Sequence, residues 1–368
     1  MRKIRVLVVD DSTVIRRLLT DALSSDPGIE VAATAPNGRI ALAKIPQINP
    51  DVITLDMEMP EMDGIATLVE LRKLYPKLPV IMFSTLTQRG AEATLDALSK
   101  GANDYVTKPA NVGSVTAALQ NVRMELLPKI KAFCPWFASP LAPPPRVRTG
   151  SGATSVLDRI AAPRKQRIDI VAIGVSTGGP SALQAVITRL PANLPVPIVI
   201  VQHMPPIFTK HLADRLNQLS ELDVYEGARG DSLAPGGVWL APGDYHMFVR
   251  RDGNQVRIDT NQQTPENSCR PAVDVLFRSV AEVYGAHVLG IVLTGMGQDG
   301  TRGAAVIRDA GGQILAQDEA TSVVWGMPGA VVQAGLASKI LPLDQVASEI
   351  MRESEMGRIQ RSKEMVRA

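Results

Sequence analysis

Apolar residues in the first third of the chain form short runs separated by longer amphipathic segments. The runs are the predicted strands IRVLVVD, IEVAATA, PDVITLD, PVIMFS and DYVTK. Segments such as STVIRRLLTDALSS and GIATLVELRKLY lie between them and have the apolar spacing of helices. This alternation is typical of a doubly wound α/β domain, so we expect a five-stranded parallel sheet within residues 1–127.

The same alternation returns over residues 168–351. Its predicted strands are 168–175, 197–203, 238–241, 246–251, 255–259, 287–294 and 313–317. HMFVRR and QVRID flank the turn residues DGN, which predicts an antiparallel hairpin. We therefore expect a second α/β domain, with a Rossmann-like, mainly parallel sheet and an antiparallel hairpin.

Two stretches lack this pattern. Residues 128–167 are rich in Pro, Gly, Ser and Thr and predict an extended linker. The aromatic cluster FCPWF near its start either fixes the linker to one domain or helps to hold the two domains together. Residues 352–368 carry many charges and few core candidates, so we expect a frayed helical tail.

Composition indicates which partners and which cellular compartment to expect. A formal net charge of +2 gives no reason to expect nucleic acid as a partner. No apolar run reaches the roughly 18 residues of a membrane span, and the first apolar run ends in paired aspartates instead of a signal-peptide cleavage site. Cys134 and Cys269 are the only cysteines and lack metal-site spacing. We expect a cytoplasmic monomer without membrane insertion.

Polar residues end the predicted strands of the first domain. In chain order they are Asp10, Asp11, Asp56, Ser84 and Lys108. The carboxyl ends of parallel strands meet at one edge of a sheet, so these side chains should converge there. Crowded carboxylates stay ionised next to a cation, and Mg²⁺ prefers oxygen ligands. Taken singly, Asp11 or Ser12 could cap a helix and Lys108 could be solvated.

Residues 1 to about 123 resemble the receiver domain of two-component response regulators, which has a flavodoxin-like fold. The matching stretches are VVDDS, DVITLDMEMPEMDG, VIMFST and DYVTKP. The resemblance implies that Asp56 accepts a phosphoryl group from a histidine kinase. It also implies an Mg²⁺ site formed by Asp10, Asp11, Asp56 and the backbone carbonyl of Glu58. The implied switch residues are Ser84, Tyr105 and Lys108.

Three polar residues end strands of the second domain. Ser176 ends DIVAIGVS, His203 ends VPIVIVQH, and Asp299 lies in LTGMGQDG after a third strand. A hydroxyl, an imidazole and a carboxylate at one sheet edge are what acyl transfer requires. Each also has a structural alternative: Ser176 or Thr177 could cap a helix, His203 could be a satisfied core residue, and Asp299 could form an Asx-turn.

Residues 168 to about 350 resemble the catalytic domain of chemotaxis protein-glutamate methylesterases, the CheB family. The matching stretches are AIGVSTGGP, VIVQHMP, WLAPGDYHM, CRPAVDVLFRSVA and GIVLTGMGQDG. The resemblance implies a catalytic triad of Ser176, His203 and Asp299. It also implies two positions beside the site, Thr177 and Met296, the second with a backbone N–H for the oxyanion.

The combined resemblance implies a phosphorylation-activated enzyme. It would hydrolyse glutamate γ-methyl esters of methyl-accepting chemoreceptors, and deamidate specific receptor glutamines, without a cofactor for the hydrolysis. A chemotaxis-type histidine kinase would be the phosphodonor. From the architecture itself, a switch, a linker and a catalytic edge in one chain, we hypothesise that the unphosphorylated receiver covers the Ser176 edge. Two other readings are a transcription regulator with a DNA-binding output domain and a receptor-binding scaffold without a reactive serine.

Overall fold

The computed structural model describes residues 2–108, 115–134 and 167–365. The predicted linker beyond residue 134, with most of FCPWF, lies outside the described residues, as do the last three residues of the predicted tail. The strands of the first domain are β1 (Ile4–Val9), β2 (Ile29–Ala35), β3 (Val52–Asp56), β4 (Val80–Ser84) and β5 (Asp104–Thr107). Its helices are α1 (Thr13–Ser24), α2 (Gly38–Ile48), α3 (Gly64–Leu74), α4 (Gln88–Ser99) and α5 (Val115–Ala132).

The first domain is the predicted five-stranded parallel sheet. Its strand order is β2-β1-β3-β4-β5, and every neighbouring pair is parallel. Helix α5 continues through Pro128, where we placed the start of the linker. Val122, Leu126 and Ile130 are buried at helical spacing against the same core, so their packing extends the helix past the proline.

The second domain contains the remaining elements. Its strands are β6 (Ile170–Val175), β7 (Ile198–Gln202), β8 (Asp223–Glu226), β9 (Gly237–Leu240), β10 (His246–Asp252), β11 (Gln255–Asn261), β12 (Val288–Val292), β13 (Gln313–Gln317) and β14 (Lys339–Leu341). Its α-helices are α6 (Gly179–Ile187), α7 (Phe208–Leu219), α8 (Val273–Tyr284), α9 (Thr301–Asp309), α10 (Met327–Gln333) and α11 (Leu343–Met365).

The main sheet of the second domain has seven strands in the order β14-β13-β12-β6-β7-β9-β8, and its neighbouring pairs are parallel. Strands β10 and β11 form the predicted hairpin as a separate antiparallel sheet that lies on α8. The edge strands β8 and β14 were not predicted from the sequence. Both are short and partly exposed, so neither shows a continuous apolar run.

The two domains share a contact surface. Helix α4 of the first domain packs against α6 and α7 of the second. The rings of Tyr105 and Phe208 stack with their centroids 4.8 Å apart and their planes at 4°. Ser181 Oγ donates a hydrogen bond to the carbonyl oxygen of Leu98 at 3.4 Å. One apolar cluster therefore includes buried residues of both domains.

The charged segment predicted as a tail continues helix α11. Glu353 and Ser354 are buried there, and Lys339 Nζ donates to Glu353 at 3.1 Å, so the first turn of this segment is packed and not frayed. Among the described helices, none combines the length and the apolarity needed to cross a bilayer.

Candidate active site and phosphoacceptor pocket

Three neighbouring strands, β12, β6 and β7, end at the same edge of the large sheet. Ser176 follows β6 directly, His203 follows β7, and Asp299 lies in the loop between β12 and α9. The sequence positions of the three residues are far apart, and the parallel strand order brings them to one edge.

The backbone around Ser176 is held from two sides. Its N–H donates to the carbonyl oxygen of Thr294 at 3.0 Å. Gln202 Nε2 donates to the carbonyl oxygens of Ser176, at 3.1 Å, and of His203, at 3.2 Å. The Ser176 hydroxyl is half-buried and forms no hydrogen bond within the described part of the chain. The backbone of Ser176 is therefore fixed, while its hydroxyl is not engaged by a hydrogen bond among the described residues.

Ser176 does not cap the helix that follows it. The N-cap of α6 is Gly178, with φ 76° and no side-chain capping bond. A positive φ of this size suits glycine, which explains the first glycine of the STGG sequence. The helix-cap alternative for Ser176 and Thr177 is therefore wrong.

His203 and Asp299 are in direct contact, with Nε2 and Oδ2 2.8 Å apart. The carboxylate accepts further hydrogen bonds from backbone N–H groups, those of Val273 (2.7 Å), Asp274 (3.1 Å) and Gly300 (2.9 Å). Helix α8 has no side-chain cap of its own at Ala272. Asp299 instead accepts hydrogen bonds from the first backbone N–H groups of the helix, which have no partner within the helix. An Asx-turn alone therefore does not describe Asp299.

These contacts shift the pKa values of His203 and Asp299 in opposite directions. Burial would raise the pKa of Asp299, but the hydrogen bond from His203 and those at the start of α8 outweigh it and lower that pKa. Burial would lower the pKa of His203, but Asp299 and the nearby Cys269 outweigh it and raise that pKa. The pair is thus suited to stabilise a protonated imidazole beside a carboxylate.

The other ring nitrogen of His203 faces a thiol. Cys269 Sγ lies 3.6 Å from His203 Nδ1. Nδ1 is the nitrogen that Asp299 leaves available, and no hydrogen bond joins it to Ser176 among the described residues. The thiol therefore occupies the side of the ring on which a serine hydroxyl would have to lie to transfer its proton to Nδ1.

Gly295 brings the loop after β12 next to Ser176. A Cβ at this position would lie 2.9 Å from Ser176 Cβ and 2.5 Å from Met327 Sδ, so only glycine allows the close approach. Met296 follows it and is half-buried, and Thr177 is buried at 4% exposure. Thr177 and Met296, the residues predicted to lie beside the site, thus directly follow Ser176 and Gly295 in the chain.

The receiver carboxylates meet at the edge formed by β1 and β3. Oxygen atoms of Asp10, Asp11 and Asp56 lie within 4.8 Å of one another. Lys108 Nζ lies 2.7 Å from Asp56 Oδ1 and 3.1 Å from Asp10 Oδ2. Asp56 Oδ2 is buried and has no hydrogen-bond partner in the described structure. An oxygen-only donor set with an unsatisfied buried carboxylate oxygen fits Mg²⁺.

Charge and burial oppose each other in this pocket. Burial raises the pKa of Asp56 to about 6, and Asp10 adds to the increase while Lys108 opposes it. Burial would lower the pKa of Lys108, but Asp56 and Asp10 raise it. The side chain of Glu58 is exposed, and the residue lines a cavity of about 400 Å³ together with Asp56 and Lys108.

Of the two further predicted switch residues, Ser84 contacts a residue that lines this pocket, and Tyr105 faces the other domain. Ser84 is fully buried, and its hydroxyl donates to the carbonyl oxygen of Gly90 at 3.1 Å. Tyr105 is also buried, with its ring against Phe208 of the other domain. Ser12 caps α1, as the structural alternative for this residue required.

Comparison with known proteins identifies a family for each of the two domains. Residues 6–120 match the response regulator receiver domain model and residues 171–350 match the CheB methylesterase model. The chain is 55% identical over 356 residues to a protein-glutamate methylesterase/protein-glutamine glutaminase of Trichodesmium erythraeum (strain IMS101), covering 96% of this chain and 99% of the relative. The chain belongs to the CheB methylesterase family.

Further CheB-family proteins agree. A protein-glutamate methylesterase/protein-glutamine glutaminase of Nocardioides sp. (strain ATCC BAA-499 / JS614) is 54% identical, with 96% of each chain covered. The crystal structure of the Thermotoga maritima CheB methylesterase catalytic domain is similar with a TM-score of 0.50 and 43% identity, covering 51% of this chain and 99% of that one. The protein is thus a hydrolase of the methylesterase/glutaminase type with a receiver domain. A DNA-binding output domain and a scaffold without activity were wrong alternatives.

Three residues of this CheB-family site were not singled out from the sequence. They are Gln202, Asn267 and Cys269, which contact the backbone of Ser176, the carboxylate of Asp299 and the imidazole of His203. Gln202 directly precedes His203, and Cys269 opens the stretch CRPAVDVLFRSVA, which was noted only as a match to the family. Their contacts depend on side-chain direction, and sequence spacing does not give it.

Proposed function

We propose that the protein hydrolyses glutamate γ-methyl esters of chemoreceptors, and deamidates specific receptor glutamines, by a Ser176–His203–Asp299 mechanism. The single observation that carries this proposal is the edge of the large sheet, where Ser176 stands beside a His203–Asp299 pair with a 2.8 Å contact. The test is methanol release from methylated receptor membranes by the wild type and by Ser176→Ala, which the Discussion develops.

In the first step Ser176 Oγ attacks the γ-carbonyl carbon of the ester. His203 takes the hydroxyl proton on Nδ1, while Asp299 holds Nε2–H and stabilises the imidazolium. The negative charge moves to the carbonyl oxygen, for which backbone N–H groups at Thr177 and Met296 are the proposed donors. The tetrahedral intermediate then collapses and His203 returns the proton to the leaving methoxide, so that methanol leaves.

In the second step water attacks the resulting acyl-enzyme and His203 again accepts the proton. Collapse of this second intermediate releases the glutamate carboxylate and returns the proton to Ser176 Oγ. A glutamine side chain follows the same course and releases ammonia. Every proton and bond is supplied by these residues and water, and the hydrolysis requires no cofactor.

The receiver domain is proposed to control this reaction through Asp56. A chemotaxis-type histidine kinase would donate a phosphoryl group to Asp56, with Mg²⁺ held by Asp10, Asp11, Asp56 and the Glu58 carbonyl. Mg²⁺ supplies positive charge to the phosphoryl oxygens when it is bound. Lys108, already 2.7 Å from Asp56, would contact the same oxygens. A charge change there would alter the surroundings of Ser84 and Tyr105.

Asp56→Asn should abolish phosphorylation and the response to a phosphodonor. The amide oxygen is a poor nucleophile, so no stable phosphoryl group should remain on the chain. The measurements are transfer of labelled phosphate from the kinase and methanol release with and without acetyl phosphate. Labelling of Ser176 by a fluorophosphonate in the same sample shows that the catalytic domain is folded. Stimulation that survives in Asp56→Asn contradicts the role of this residue.

The domain contact supports autoinhibition by the unphosphorylated receiver. Tyr105, a proposed switch residue, packs directly on Phe208 at the start of α7. Tyr105 and Lys129 of the receiver also line a cavity of about 590 Å³ whose other wall contains His203 and Cys269. Access of a receptor helix to this side of the site would therefore require the receiver to move.

Tyr105→Ala should raise the activity measured without a phosphodonor. Loss of the stacked pair weakens the domain contact by about 1–2 kcal/mol, which changes the fraction of open molecules by about 5- to 30-fold while that state is minor. Tyr105→Phe keeps the stacked ring and should stay repressed. Initial rates of methanol release measure both variants. Equal basal rates for Tyr105→Ala and the wild type contradict the steric form of autoinhibition.

We further propose that the protein acts as a cytoplasmic monomer and binds no nucleic acid. The near-neutral charge of +2 and the paired arrangement of switch and catalytic domains in one chain support this proposal.

A further inference from the structure

We propose that His203 and Cys269 form a binding site for a thiophilic divalent cation such as Zn²⁺, and that the bound cation inhibits hydrolysis. The ligand atoms are His203 Nδ1 and Cys269 Sγ, with water in the remaining positions. The site goes beyond the proposed catalytic mechanism, in which Cys269 has no step.

The spacing of the two ligand atoms matches one metal ion. Sγ and Nδ1 are 3.6 Å apart. Zn–S distances of about 2.3 Å and Zn–N distances of about 2.0–2.1 Å place a sulfur and a nitrogen about 3.6 Å apart on a tetrahedral ion. A Zn²⁺ ion therefore fits between the two atoms with little movement of either side chain.

Asp299 prepares the imidazole to bind a metal. It accepts a hydrogen bond from His203 Nε2 at 2.8 Å, which directs the lone pair of the neutral ring to Nδ1, the nitrogen that faces the thiol. A metal-ligating histidine usually donates its other N–H to a carboxylate, which fixes the tautomer and the ring orientation. The arrangement that suits a catalytic base thus also suits a metal ligand.

The thiol is held in place by a tight turn. The backbones of Glu266 and Cys269 exchange hydrogen bonds of 3.1 Å and 2.9 Å across Asn267 and Ser268. Asn267 Nδ2 donates to Asp299 Oδ1 at 2.8 Å, and Glu266 forms a two-bond ion pair with Arg278. One turn therefore positions both the thiol beside His203 and an amide beside Asp299.

Solvent and charge permit the ion to enter. His203 and Cys269 line the cavity of about 590 Å³ between the domains, which has room for water ligands. Binding releases to solvent the thiol proton and, where His203 is protonated, the proton on Nδ1, and the charges of Zn²⁺, the Cys269 thiolate and the Asp299 carboxylate then sum to zero. Neutrality reduces the free-energy cost of a divalent ion in a largely buried site.

Occupancy would stop the proposed chemistry at its first step. The metal uses the Nδ1 lone pair that must accept the proton of Ser176, so the serine cannot be activated. The ions of the two domains should also differ, because sulfur and imidazole ligands select Zn²⁺ whereas the oxygen ligands at Asp10, Asp11 and Asp56 select Mg²⁺. An excess of Mg²⁺ should therefore not protect against zinc.

The test titrates the full-length protein with Co²⁺ and Zn²⁺ in excess Mg²⁺. Co²⁺ bound to a thiolate has a near-ultraviolet charge-transfer absorption that oxygen ligands do not produce. We expect this absorption in the wild type, saturating at about one equivalent and displaced by Zn²⁺. Cys269→Ser, Cys269→Ala and His203→Gln should lose it. Cys134→Ser is the matched control and should retain it, because Cys134 is buried and burial raises the pKa of its thiol to about 12.

Activity is the second readout, with each variant compared with its own zinc-free rate. Zinc should inhibit the wild type and Cys134→Ser, and a chelator should reverse the inhibition. Cys269→Ser should need at least about 100-fold more zinc, because loss of a partner that only supports a ligand already costs about 10- to 100-fold. The proposal is overturned if the wild type lacks the absorption, if Cys269→Ser retains it, or if a saturated site leaves hydrolysis unchanged. The absorption reports binding even if the proposed hydrolytic mechanism fails, so the two failures are distinguishable.

Discussion

Ser176→Ala should lower methanol release from methylated receptor membranes by about 10⁶-fold, the order of the loss when the serine of a Ser-His-Asp enzyme is removed. The physical reason is that the proposed attack uses the hydroxyl that ends β6, whereas Cys269, which contacts the same imidazole, belongs to the turn at 266–269 and has no step in that mechanism. Release of ammonia from receptor glutamines should fall in parallel, because both substrates use one nucleophile. The measurement is made with and without acetyl phosphate.

Two controls sharpen this result. Ser220→Ala removes a hydroxyl from the end of α7, where it donates to the carbonyl oxygen of Leu222, and should leave the rate near that of the wild type. A fluorophosphonate should label the wild type and not Ser176→Ala. Equal methanol release by Ser176→Ala and the wild type would mean that Ser176 is not the nucleophile. Equal release that also disappears in Cys269→Ala would move this role to the thiol.

Asp299→Asn should lower kcat by about 10⁴-fold, as expected when an amide stabilises the wrong imidazole tautomer. The amide nitrogen can donate to His203 Nε2 and so move the ring proton to Nδ1, where it blocks proton transfer from Ser176. The amide nitrogen then replaces Oδ2 and faces the Val273 N–H, and this pair of opposed donors costs about 1–3 kcal/mol of folding free energy. Rates are measured at a temperature well below the melting transition of the variant.

Asp274→Asn is the matched control. Asp274 is a second fully buried carboxylate at the start of α8, and it shares Asn267 with Asp299 but does not contact His203. Its loss should reduce stability with a much smaller effect on kcat. If Asp274→Asn reduced kcat as strongly as Asp299→Asn, the effect would come from disruption of the helix start and not from the tautomer of His203.

The elements and residues that form the interface between the domains could not be predicted from the sequence, although a contact of the receiver with the Ser176 edge was expected. Helix α4 has the apolar spacing of any amphipathic helix, and its buried residues include Leu95 and Leu98. That spacing shows that one face is buried but not whether the sheet or a second domain covers it. The contact of α4 with α6 and α7, and the stack of Tyr105 on Phe208, depend on shape complementarity between surfaces far apart in sequence.

Within the site, the sequence predicted which residues lie at the sheet edge, and the structure showed which groups their side chains contact. Ser176, His203 and Asp299 were found because each follows a strand, and parallel strands end at a common edge. The structure shows in addition that Asp299 binds the start of α8 and that Cys269, not Ser176, faces His203 Nδ1. These contacts follow from the turn at 266–269 and from side-chain torsions, which leave no periodic signal.

The sequence by itself therefore determined the two α/β domains, the positions of their principal strands along the chain and the residues that end those strands, because local apolar periodicity controls each of these features. Only the tertiary structure decided the edge strands β8 and β14, the extension of α5 through Pro128, the docking of the receiver and the thiol beside His203. Each of these depends on packing between segments distant in the chain, where the free energy of burial outweighs local preference.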